Sequence, residues 1–142
     1  MHPSGRPPRS HHSDLRATVP NVSPICFLTG ASGFVGRHLA ERLAATHSLR
    51  VLVRPGQELP HLVALPHERI EGRLEEPDAL ARGCRGADIV VHLAALVSFR
   101  REDRNAMFAA NAGATGALAG VARRANVRRF LHVSTIAAVA YC

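Results

Sequence analysis

Gly30, Gly33 and Gly36 recur at every third position in Thr29-Gly30-Ala31-Ser32-Gly33-Phe34-Val35-Gly36, a G-x-x-G-x-x-G arrangement. The chemistry this spacing serves is the cradling of a phosphate chain. A tight turn needs a residue that tolerates positive φ, a pyrophosphate must approach the backbone with no Cβ in the way, and a helix must pack closely on the strand before it. Unpaired N–H groups at the start of that helix would then meet the phosphate oxygens. Arg37, just inside the expected helix, reads as a surface residue ahead of a phosphate contact. His92 and His132 fall in apolar runs and read as packed, hydrogen-bonded residues; their spacing suggests no metal site. His2, His11 and His12 lie in a tail that fixes no ligand geometry, so no metal is expected there either.

A glycine loop has this meaning only between a strand and a helix, and the flanking residues provide both. The apolar run Ile25-Cys26-Phe27-Leu28-Thr29 suits a strand buried on both faces. In residues 34–46, Val35, Leu39, Leu43 and Ala44 recur at helical spacing, with Arg37, Glu41 and Arg42 on the outer side. Residues 49–53 form a second strand, ended by Arg54-Pro55-Gly56. Gln57 to His67, with Pro60 and Pro66, reads as loop or one short turn, and residues 69–72 as a third strand. A short helix opens at Pro77 and closes near Gly83. Residues 87–95 are the fourth strand, Glu102 to Ala125 a long Ala-rich helix, and residues 128–135 the fifth strand. Gly113, Gly116 and Gly120 in that helix each cost about 1 kcal/mol relative to Ala, which close packing on a sheet or a partner helix would explain; a homodimer through residues 102–125 is one such arrangement. Strands alternating with helices imply an α/β fold, a doubly wound parallel sheet with right-handed crossovers, of which this chain carries little more than the first half.

At 142 residues, the chain has room for one compact domain. All its basic residues are Arg, and Lys is absent. The formal net charge of +7 is scattered and aromatics make up 4%, whereas nucleic-acid proteins cluster charge and interleave stacking aromatics, so nucleic acid is disfavoured. Cys26, Cys84 and Cys142 form no C-x-x-C pair, and their odd number fits a reducing cytoplasm. Residues 1–24 have no apolar signal core and read as a disordered basic tail, with Asn21 in an idle glycosylation match; residues 25–142 form the domain. The uncharged stretch from Ala106 to Ala122 is too short and too interrupted for a membrane span.

From Ile25 to Val139 the sequence resembles the extended short-chain dehydrogenase/reductases, the NAD-dependent epimerase/dehydratase group. The glycine spacing is similar to that family's. His92-Leu93-Ala94-Ala95 resembles its fourth-strand segment lining the cofactor, and Asn111 with Thr115 its N-x-x-G-T, with Ala114 in place of the glycine. Residues 126–139 resemble the fifth strand with its catalytic Ser or Thr, at Thr135 beside Ser134. The likeness is strongest to branches resembling 3β-hydroxysteroid dehydrogenases and dihydroflavonol reductases. It implies a Rossmann-like sheet and a dinucleotide held by Gly30, Ser32, Gly33, Phe34, Val35 and Gly36 in the loop, and by Leu74, Leu93, Ala94, Ala95, Asn111 and Ser134 beyond it. Thr135 would orient the substrate.

Three departures qualify the likeness. Gly72-Arg73-Leu74 stands where the family carries Gly-Asp toward the adenine; Arg73 could stack on the ring instead. The second strand ends in Arg54 rather than in the acidic residue that holds a ribose 2′-hydroxyl, which favours a 2′-phosphate and thus NADP(H) ahead of NAD(H). A solvated loop position before Pro55 is the plain alternative. The family's Tyr-x-x-x-Lys pair is missing: only Cys142 follows Tyr141. The chain alone is therefore expected to bind without completing the family's reaction. Two further readings stay open, a non-catalytic dinucleotide-binding module and an Arg-rich nucleic-acid contact protein.

Overall fold

The computed structural model describes residues 23–135. Of the expected tail over 1–24, all but the last two residues, its histidines and Asn21 included, lie outside them, as do Tyr141 and Cys142. Five strands, β1 (Ile25–Thr29), β2 (Ser48–Val53), β3 (His67–Glu71), β4 (Ile89–His92) and β5 (Arg129–His132), form one parallel sheet in the order β3-β2-β1-β4-β5. The chain winds outward from β1 to β3, then crosses back to place β4 on the other side of β1. The loops leaving β1 and β4 therefore diverge, and a crevice opens at their carboxyl ends.

Alternation along β1 explains the two layers. Cys26 and Leu28 join one core cluster with Leu49, Val51, Val53 and Val91, covered by α1 (Phe34–Ala44) and by Leu59 and Leu62 of the turn Pro60–Leu62. Phe27 joins the other, with Val90, Leu80 and Cys84, and with Leu118 and Val121 of the helix that follows β4. Covering that face are α2 (Pro77–Cys84) and α4 (Ala114–Arg124). α2 comes so close that a Cβ on Gly83 would collide with the Phe27 ring. Arg50 of β2 donates to the carbonyls of Gly83 (3.0 Å) and Arg85 (2.7 Å) at the end of α2, and pairs with Glu68 of β3 at 2.6 Å. A guanidinium there satisfies carbonyls that a helix end leaves unpaired.

Three elements differ from expectation. In α1 the closely packed residues are Gly36 and Ala40, while Val35 is 55% exposed, because Gly36 must face the loop and so rotates Val35 outward. β4 keeps only four of the nine residues read as strand, since the chain peels away after His92 to line the crevice. The expected helix from Glu102 to Ala125 is a succession: a single turn at Arg101–Asp103, α3 (Arg104–Phe108), a wide π-type turn at Ala109–Gly113, and α4. Gly113 and Gly116 have no atom within 4 Å of a Cβ placed on them, so packing among the described residues does not call for them. No helix of the described residues is long and apolar enough to cross a membrane.

Candidate functional site

The glycine loop divides its labour among its three glycines. Gly30 has φ +79°, and a Cβ there would lie 2.5 Å from Ala94 N, because the loop passes directly over the chain leaving β4. A Cβ on Gly36 would collide with Gly30 O, which seats α1 against the loop. Gly33 is open: only Gly30 O comes within 4 Å of a Cβ there, at 3.4 Å. Gly33 begins α1 with no side-chain cap and no acidic residue in the first turn, and the first intrahelical bond runs from Arg37 N to Gly33 O at 3.0 Å. The N–H groups of Phe34, Val35 and Gly36 precede that bond, so the helix presents unpaired donors and its positive dipole end.

In front of this loop lies a cleft of about 360 Å³, within the usual range for small-molecule sites. Gly30, Ser32 and Gly33 form one wall; Leu93, Ala94, Ala95 and Leu96 another; Arg54, Gln57, Gly72, Arg73, Leu74 and Glu75 the far end. Eight expected cofactor residues thus meet in one cleft: Gly30, Ser32, Gly33, Arg54, Leu74, Leu93, Ala94 and Ala95. Phe34, Val35, Gly36, Asn111 and Ser134 do not line it. Ser134 and Thr135 follow β5, exposed, at the same end of the sheet. Arg54 opens a turn closed by Gln57 N to Arg54 O at 3.0 Å, with Pro55 and then Gly56 (φ +71°) at its centre, as a type II turn requires. Its Nε donates to Gln57 Oε1 at 3.3 Å.

Asn111 acts from behind the wall. Its carboxamide accepts from Leu96 N and donates to Leu96 O, both at 2.8 Å, and so pins the segment that follows β4. One turn on, Thr115 donates its hydroxyl proton to Asn111 O at 2.7 Å. With that proton committed, Thr115 Oγ1 accepts from His92 Nε2, 2.8 Å away. His92 is therefore the neutral Nε2–H tautomer, and its Nδ1 accepts from the Thr29 hydroxyl at 2.7 Å. Thr29 Oγ1 in turn accepts from Ala94 N at 3.4 Å. This chain of bonds ties β1, β4, α4 and the cleft wall together through two fully buried side chains, Thr29 and His92. Burial, with the stacked His132 ring 5.1 Å away adding repulsion, pushes His92 down to about 4, which keeps it neutral.

The role of this network was not legible in the sequence, because Thr29 is distant from His92 and Thr115 until the parallel pairing of β1 with β4 brings them together. Gln57, Leu59 and Ala31 were likewise missed as cleft residues; only Arg54 immediately upstream hinted at the turn. Among the described residues no group of three His, Cys, Asp or Glu is placed to hold a metal ion.

A family model described as the NAD dependent epimerase/dehydratase family matches residues 26–141. The chain is 39% identical over 115 residues to the 4-hydroxy-2-methyl-3-oxo-4-farnesyl-3,4-dihydroquinoline-1-oxide ketoreductase of Stigmatella aurantiaca, an alignment covering 80% of this chain and 34% of that protein. With a 3 beta-hydroxysteroid dehydrogenase/Delta 5-->4-isomerase of Mycobacterium tuberculosis it shares 33% identity over 115 residues, 76% of this chain and 30% of the relative. The solved structure of a short-chain dehydrogenase/reductase superfamily protein from Agrobacterium tumefaciens, with bound NAD, superposes with a TM-score of 0.68 at 32% identity, over 78% of this chain and 32% of that one. The chain thus spans about a third of the length of the relatives it matches. On the glycine loop, the sheet order and these likenesses together, the chain belongs to the NAD-dependent epimerase/dehydratase family.

Proposed function

We propose that the chain is the cofactor-binding part of an oxidoreductase or epimerase of the extended short-chain type, and that it takes NADP(H) ahead of NAD(H). The observation carrying this reading is that an uncapped α1 N-terminus, an open Gly33 and Arg54 share one cleft. Ser32 and Gly33, with the N–H groups of Phe34 and Val35 at the helix start directly behind them, would hold the pyrophosphate. Leu93, Ala94 and Ala95 line the path toward the nicotinamide, Leu74 and Arg73 flank the adenine, and the Arg54 guanidinium, held through Nε by Gln57, offers its terminal nitrogens to the 2′-phosphate. A nicotinamide held there would supply hydride transfer to or from a substrate carbon. Thr135 orients the substrate oxygen. No Lys occurs in the sequence, so the acid–base pair of the family is not held by this chain, which alone binds without turnover. The buried free thiols Cys26 and Cys84 suit a reducing cytoplasm, and the open Gly113 and Gly116 leave room for a second copy against residues 102–125.

Titration of the full chain with NADPH and NADH tests the reading. Tighter binding of NADPH, reversed in Arg54→Glu, is expected. A preference that survives Arg54→Glu would move the 2′-phosphate contact elsewhere. Failure of both nucleotides to bind, with salt-sensitive binding of DNA, would replace the reading by an Arg-rich nucleic-acid contact.

A further inference from the structure

The segment between β2 and β3 reaches back to the glycine loop at one side chain. His61, in the turn Pro60–Leu62, donates from Nε2 to the carbonyl oxygen of Ala31 at 3.0 Å. The turn is firmly seated. Leu62 is fully buried, Leu59 nearly so, and both belong to the cluster that includes Ala31 and Ala40 of α1. Ala31 itself is 1% exposed, so its carbonyl has little water to turn to. His61 does not line the cleft, whereas Ser32 does.

The carbonyl of Ala31 and the N–H of Ser32 belong to one planar trans peptide, so they point in opposite directions. Drawing the carbonyl toward His61 turns the Ser32 N–H away from His61, and Ser32 is itself a residue of the cleft lining. Building on the dinucleotide reading above, we infer that His61 is a positioning residue of the phosphate cradle: by fixing the Ala31–Ser32 peptide it aims the Ser32 N–H at a phosphate oxygen of an ADP-containing ligand. The sequence hides this role, because thirty residues separate His61 from Ala31 and nothing in a Pro-flanked loop suggests a contact to the nucleotide site.

The experiment compares ADP with adenosine, using ligand-observed NMR on the full chain, its His61→Ala and His61→Gln variants, and their thermal melts. Adenosine shares the far end of the cleft but carries no phosphate. In His61→Ala, ADP is expected to bind roughly fivefold more weakly, the loss of one ordinary hydrogen bond, with adenosine unchanged. His61→Gln, whose carboxamide can donate to the same carbonyl, is expected to recover most of the ADP affinity. Should the alanine variant not fold, His61→Leu removes the donor while keeping bulk and gives the same comparison. Unchanged ADP affinity, a parallel loss of ADP and adenosine, or no recovery in His61→Gln would each overturn the inference while leaving the dinucleotide reading in place. A parent chain that binds no ADP would overturn that reading, and the inference with it.

Discussion

At Gly33 the backbone has φ −76°, a value any residue can adopt, and a Cβ would touch little. The fold therefore tolerates a side chain there, whereas the pyrophosphate site proposed above would not. Gly33→Val is expected to lose measurable binding of both NADH and NADPH while its melting changes by less than about 1 kcal/mol; calorimetric titration beside a thermal scan checks both halves. The opposite pattern is expected at His92. His92→Phe keeps a ring of similar size but leaves the Thr29 hydroxyl with no acceptor in a buried site and severs the link to Thr115, costing about 2–3 kcal/mol, read from urea unfolding at neutral pH. The contrast shows which residues announce themselves in a sequence. Gly33 does so because its partner is a backbone turn three residues long. His92 could be read only as a packed, hydrogen-bonded strand residue, since its partners arrive from a different strand and a different helix.

Asn111 belongs to the next scale, because it joins an element to a loop. The wide turn at Ala109–Gly113 interrupts the helical run where Asn111 must reach Leu96, and such π-type turns often accompany functional sites. Asn111→Asp keeps the acceptor for Leu96 N but places an oxygen against Leu96 O. It is expected to speed amide hydrogen exchange over Leu93–Leu96 and to weaken NADH and NADPH in equal proportion; an unequal effect would mean that the change reaches the Arg54 end of the cleft. Periodicity made the long Ala-rich segment legible as helical, yet not its break, because an Ala-rich sequence satisfies an α-turn and a wider turn alike. The five strands were legible for the converse reason: apolar runs such as Phe27-Leu28 and Val90-Val91 are bounded by loop residues. Only their ends were missed, as at β4, where Leu93, Ala94 and Ala95 are apolar because they line a cleft rather than a core.

For the molecule as a whole, the buried network makes stability depend on acidity. His92 is pushed from its ordinary 6.5 down to about 4 by burial, with His132 adding to the effect. The unfolded chain thus accepts a proton that the folded chain refuses, and the contribution of this site to stability is complete above about pH 6.5 and lost as the pH falls toward about 4. A urea midpoint that drops across this window in the parent, and drops less steeply in His92→Phe, is the expected result. Equal slopes would mean that other groups govern the acid response.

Among the described residues two cysteines sit one in each core layer, Cys26 beneath α1 and Cys84 at the end of α2. Burial pushes both thiols up to about 11, so neither offers a thiolate to an alkylating reagent near neutral pH while the chain stays closed. Each is therefore a clock for its own side of the sheet. With Cys142 replaced by Ser, the alkylation rates of Cys26 and Cys84 time separately how often the two layers lift. Because both layers rest on β1, the central strand of the five, the two clocks are expected to keep the same time.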